Sequence, residues 1–149
     1  MKFKTDRLST ELALVHPEVS RLMDDLDVWC ASQGIHEPII THAIRTIGEQ
    51  EAIYTPLYIK TGFDEDSSRM RARGKFSWHL CRCAVDFRSS HYSNNDIRAV
   101  YGFIKQRILG RTTLFEFMQH DVGQGDHFHL GFRDYEWKKL YMPKMELVS

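Results

Sequence analysis

The chain has 149 residues, 20 Lys and Arg against 20 Asp and Glu, and a formal net charge of zero. Hydrophobic residues at 42% and charged residues at 27% exclude a disordered chain, and the charge balance argues against a general binder of nucleic acid or anionic membrane. This length predicts a single domain over 1–149 with one core, acting as a monomer.

The N-terminus, Met1-Lys-Phe-Lys-Thr-Asp-Arg-Leu8, is charged early and has no apolar h-region. A protein made in the cytoplasm without a signal peptide is expected. No apolar run is long enough to span a bilayer. Cys30, Cys81 and Cys83 are an odd number with no pairing pattern, so reduced thiols are expected.

His16-Pro17-Glu18 starts a helix, with Pro inside the first turn. Val19, Leu22, Met23, Leu26, Val28 and Trp29 give it an apolar face, and Gly34 ends it. Pro38 to Ala43 predicts a short strand. Thr46-Ile-Gly-Glu49 fits a capping box, with a short helix to about Leu57. Lys60 to Lys75 mixes Gly62, Asp64-Glu-Asp66 and Arg69, Arg71 and Arg73, and predicts a mobile, solvated loop.

Arg82 to Arg88 predicts a strand. Alternation puts Arg82, Ala84 and Asp86 on one face, with Cys83, Val85 and Phe87 on the other. Ser93 or Asn94 caps a helix carrying Ile97, Val100, Tyr101, Ile104 and Ile108. Leu114 to Met118 and Phe128 to Phe132 predict strands, the second after a turn at Gly123-Gln-Gly125. Tyr135 to Tyr141 predicts a short helix. Trp29 and Phe103 are expected in the core.

The chemistry concentrates in two segments, Ser77-Trp-His-Leu-Cys-Arg-Cys-Ala-Val-Asp86 and Gly125-Asp-His-Phe-His-Leu-Gly131. His79, Asp86 and His129 supply three N/O ligands, the count of an open catalytic zinc site rather than a closed structural one. His127 and His129 differ by two, so on a strand both face the same way. One can bind metal while the other, or Asp126 in the preceding turn, faces the water to be activated. Cys81 and Cys83 have no second Cys pair to close a thiolate tetrahedron, and Cys83 reads better as a small core residue.

Ser77-x-His79-x-x-x-x-Ala84-x-Asp86 resembles the Ser-x-His-x-x-Gly-x-Ala-x-Asp signature of the M15 peptidases, the zinc D-Ala-D-Ala carboxypeptidases and phage L-alanyl-D-glutamate endolysins. Asp126-x-x-His129 is similar to their second motif, and His127-x-His129 resembles the His-x-His of the wider LAS group. Arg45-Thr-Ile-Gly-Glu49-Gln50-Glu-Ala-Ile-Tyr54 is similar to a stretch of the phage endolysins. The likeness runs from about His16 to Phe132. Arg82 stands where the family has Gly, Cys81 and Cys83 flank it, and His42-Ala43 replaces a usual Ser-Gly.

The resemblance implies an α+β fold, a small antiparallel sheet with flanking helices and a zinc cleft. It implies Zn2+ on His79, Asp86 and His129, and Asp126 as general base, with His127 as competing base or oxyanion partner. It also implies Arg45, Ser77 and Gln50 in substrate binding, Arg45 through its planar fork on a carboxylate. The expected partner is a peptidoglycan stem peptide, cut at a bond such as L-Ala-D-Glu after release to the cell wall, as in an endolysin for phage lysis. Two alternatives stay open: a D-Ala-D-Ala carboxypeptidase or dipeptidase, and a non-cleaving zinc-containing cell-wall-binding module. No role is expected for His16, His36, His42, His91 or His120.

Overall fold

A helix begins where His16 accepts a hydrogen bond from the Glu18 backbone N–H through Nδ1, with Pro17 at the first helical position. It runs over Pro17–Gln33 and stops at Gly34, whose φ of 65° supplies the left-handed C-cap. Its buried stripe is Val19, Leu22, Met23, Leu26 and Cys30; Val28 lies off that stripe and is exposed. The structure, a computed structural model, describes residues 1–120 and 125–143. Among these, the order is β1 (Lys2–Phe3), α1 (Asp6–Leu12), α2 (Pro17–Gln33), β2 (Ile39–His42), α3 (Ile47–Lys60), α4 (Glu65–Gly74), a 3₁₀ turn (Trp78–Cys81), β3 (Ala84–Arg88), α5 (Asn94–Arg107), β4 (Phe115–His120), β5 (His127–Phe132) and α6 (Tyr135–Tyr141). No helix among the described residues is long and apolar enough to cross a membrane.

The five strands form one sheet in the order β1-β2-β3-β5-β4. β2, β3, β5 and β4 pair antiparallel, while β1 joins the edge parallel to β2. The chain is therefore mixed α and β, and its sheet is antiparallel except at that edge. Val85 and Phe87 of β3, Phe128 and Leu130 of β5, and Phe115 and Phe117 of β4 enter the main core. There they join α2, α5 and α1, which contribute residues including Leu26, Ile104 and Leu12. Phe87 stacks on Phe128 and Phe128 on Phe117. Trp29 and Phe103 stack at the edge of this core, half-buried.

The expected loop over Lys60 to Lys75 is largely helix. Asp64 caps α4 by accepting from the Ser67 N–H, and Glu65 and Asp66 in the first turn, with Arg71 and Arg73 in the last, complement the helix dipole. Ser68 and Ala72, four apart, are buried, and Arg73 reaches Glu51 of α3 at 2.9 Å. Small residues at the contact and a strongly charged outer face hid the period from sequence inspection. α3 runs through Pro56 to Lys60, beyond the expected end near Leu57. α1 and β1 were not expected at all: seven and two residues are too short to show a period. Residues 123 and 124 of the expected turn lie outside the described residues.

Arg82 is not part of β3. It caps the 3₁₀ turn with φ 64° and ψ 29°, the one non-glycine among the described residues at positive φ. Its carbonyl accepts from the His16 N–H at 2.8 Å. His16 then donates from Nε2 to Asp134, the N-cap of α6, at 2.9 Å. A residue with no expected role thus fastens the starts of α2 and α6 to the segment carrying His79.

Candidate metal centre

The register of three strands gathers the site on the face opposite the main core. Asp86 of β3 lies across from His129 of β5 on one side and His42 of β2 on the other. β4 pairs with β5 so that Met118 faces His129 and His120 faces His127. Directly paired residues project to the same side of a sheet, so Asp86, His127, His129, Glu116 and His120 share one face. His79 reaches that face from the 3₁₀ turn, which Ser77 starts by accepting from the His79 N–H.

His79 Nδ1 lies 2.7 Å from the Ala43 carbonyl. A carbonyl only accepts, so Nδ1 carries the hydrogen and Nε2 is left to face Asp86 Oδ1 at 3.0 Å. Burial pushes the His79 pKa down, outweighing the raising effect of Asp86, so the ring is neutral. A bare lone pair then points at a carboxylate oxygen, both nearly inaccessible to water. Two acceptors buried against each other are unfavourable unless a cation lies between them.

His129 turns Nδ1 to the same Asp86 Oδ1 at 2.9 Å and Nε2 to Glu116 Oε1 at 3.0 Å. Burial alone would lower its pKa, but hydrogen bonds to the two carboxylates prevail and raise it to about 9. Burial would likewise raise Asp86, yet the hydrogen bond and charge of His129 hold its carboxyl well below the ordinary range. The His129 hydrogen bond holds Glu116 low against the opposing effect of burial. Two carboxylates and two imidazoles thus compete for too few protons.

A divalent ion held among these groups would resolve that competition. The donor atoms of His79, Asp86 and His129 lie within 4.8 Å of one another and all three residues are buried. Zinc takes imidazole nitrogen and carboxylate oxygen at about 2.0–2.2 Å, so donors roughly 3 Å apart suit one ion. The remaining ring nitrogens are held by a backbone carbonyl and by Glu116, the outer partners that fix the tautomers of metal-binding histidines. Sequence reasoning missed Glu116. It is 13 residues from His129, and only the β4–β5 register joins them.

The other expected residues divide into two groups. Asp126 is exposed and, with His127, His42, Lys4 and Arg88, lines a cleft of about 400 Å³. His127 Nδ1 donates to the Gly125 carbonyl at 2.9 Å, and its Nε2 lies 3.4 Å from Asp86 Oδ2. Arg45, Gln50 and Ser77 form one hydrogen-bonded group behind the 3₁₀ turn. Arg45 Nη1 donates to Gln50 Oε1 at 3.0 Å and Ser77 Oγ at 3.2 Å, and Gln50 donates to the Lys75 carbonyl. Arg45 is 5% exposed and Gln50 fully buried, so these bonds brace the segment that carries His79. Ser77 also borders a hollow of about 190 Å³ with Tyr54, Glu116, His120 and His129.

Cys30, Cys81 and Cys83 are buried free thiols. Cys81 and Cys83 pack with Trp78 and Ala84 in a small second cluster, in keeping with Cys83 as a core residue.

No family model, curated protein or solved structure matches this chain.

Proposed function

We propose that this chain is a zinc-dependent peptidoglycan peptidase of the M15, LAS-type fold, cleaving a stem-peptide bond such as L-Ala-D-Glu in the manner of an endolysin. The observation that carries the reading is the His79–Asp86–His129 group. The His79 tautomer and the His129 ring orientation are set so that one nitrogen of each faces a shared carboxylate oxygen. Three N/O ligands leave room for a reacting molecule.

An ion held there supplies Lewis acidity toward a scissile carbonyl and acidifies water. Asp126, exposed at the rim of the cleft, is suited to accept a proton from the attacking water and return it to the leaving amine. His127, whose Nδ1 donates to the Gly125 carbonyl, keeps Nε2 free to accept a proton from that water and is the competing base. Lys4 and Arg88 line the same cleft and give a stem-peptide carboxylate cationic neighbours. Arg45 holds Ser77, and Ser77 holds the His79 backbone, so this group keeps the first ligand in place.

Metal analysis together with digestion of purified peptidoglycan, products identified by mass, tests the reading. Wild type is expected to carry zinc and release stem-peptide fragments. His129→Ala should lose the zinc. Asp126→Ala should keep it and lose roughly 10²–10⁴-fold in rate. Zinc retained in full by the His129 variant, or intact peptidoglycan after incubation with zinc-loaded wild type, would overturn it.

A further inference from the structure

Asp86 has two carboxylate oxygens, and the three-ligand group uses only one. His79 Nε2 and His129 Nδ1 both face Oδ1. Oδ2 faces His127 Nε2 at 3.4 Å and His42 Nδ1 at 3.9 Å. His127 Nε2 has no hydrogen-bond partner, although the residue is only 5% exposed. Its tautomer is set from the other side, because Nδ1 lies 2.9 Å from the Gly125 carbonyl and must carry the hydrogen. Nε2, buried and without a hydrogen-bond partner, therefore faces a carboxylate oxygen, as His79 Nε2 does on the opposite side.

A metal ion between the two atoms would give each a partner, and His120 completes the set. It is paired with His127 across the β4–β5 ladder, and the two rings lie 4.7 Å apart. Donor atoms of Asp86, His120 and His127 fall within 4.8 Å of one another. A divalent ion would use all three of these residues. Imidazole and carboxylate donors suit zinc and its neighbours in the first transition row.

We propose that Asp86 Oδ2, His127 and His120 form a second divalent-cation site, so that Asp86 bridges two ions, one on each oxygen. The inference rests on the first site in one respect, since Asp86 belongs to both. Carboxylate-bridged pairs of this kind hold their metals roughly 3.5–4 Å apart in two-metal enzymes. The second ion binds more weakly than the first. His120 is half-exposed and must close on it, and Lys4 and Arg88 border the cleft and oppose a further positive charge. It also takes the His127 nitrogen assigned above to the competing base, so excess zinc should inhibit hydrolysis.

Calorimetric titration of metal-free full-length protein with Zn2+, with metal analysis after dialysis at low and high zinc, tests this directly. Wild type should take up two equivalents of unequal affinity. His120→Gln should lose the weaker one and keep the tighter, and His120→Cys, which restores a zinc ligand, should recover it. A wild type that saturates at one equivalent, with that one lost in His129→Ala, overturns the second site and leaves the first standing. Two equivalents retained in His120→Gln overturn the ligand assignment, and no uptake overturns both sites.

Discussion

Phe87 and Phe128 lie on one face of β3 and β5; Asp86 and His129, their neighbours along each strand, lie on the other. Both faces are nearly shut off from water, with the phenylalanines fully buried and Asp86 and His129 at 2% and 7% exposure. The first face is stable by itself: rings stack, nothing needs a proton, and burial is favourable in any ionic state. The second puts acceptors against acceptors and raises a histidine to about 9 in order to cope. Equal burial with opposite chemistry sets the second face apart as the one whose residues could hold an ion. Its stability should depend on what is bound, and that of the first should not.

The sharpest break in the comparison would come from truncation on the apolar face. Phe128→Ala should cost about 3–5 kcal/mol, measured by urea denaturation, and the cost should be the same with saturating zinc as with a chelator. Wild type itself should gain about 2.7 kcal/mol when zinc is at a hundred times its dissociation constant. If the loss in Phe128→Ala shrinks or grows with zinc, the two faces are coupled and the contrast fails.

A smaller effect is expected one step out on the polar face. Glu116→Ala removes the acceptor that orients His129, and should weaken zinc binding about 10–100-fold in a chelator competition. The same substitution should alter the pH dependence of the metal-free protein. His129, raised from 6.5 to about 9, contributes stability that is full below pH 6.5 and is lost as pH rises through 9. Without Glu116 that window should narrow from its upper end. Unchanged zinc affinity in the variant would reduce Glu116 to a bystander.

The difference between the faces also explains what could be read from the sequence. His79, Asp86 and His129 were legible because ligand chemistry restricts residue type and because the spacing in each segment is short. α2 was legible because Pro17, Gly34 and a long apolar stripe mark its start, end and buried side. Glu116 and His120 were not, since each earns its place through a cross-strand pairing that the sequence does not write. α4 was hidden because its buried residues are Ser68 and Ala72, too small and polar to register as a stripe. Arg45 was picked out for its fork, yet burial directs the bonds seen here toward Gln50 and Ser77, a fact only packing reveals.

Arg82 gives the smallest and most local test, because it sits at the turn between His79 and β3. Its left-handed backbone places a Cβ against the following carbonyl, at a cost of about 1–2 kcal/mol for an L-residue. Glycine escapes that cost but loses about 0.4–1 kcal/mol through greater freedom in the unfolded chain. Arg82→Gly alone is therefore ambiguous, as it also removes the guanidinium from above the Tyr141 ring, 4.8 Å from its centroid. Arg82→Ala removes the same contact and keeps the Cβ. The difference between the two variants isolates the backbone, and Gly should exceed Ala in stability by about 0.5–1 kcal/mol. Zinc affinity should be alike in both, since His79 is held by Ala43 and Ser77 rather than by the Arg82 side chain. Should Ala equal or exceed Gly in thermal denaturation, the turn is not left-handed in solution, and the path that carries His79 to Asp86 would have to be redrawn.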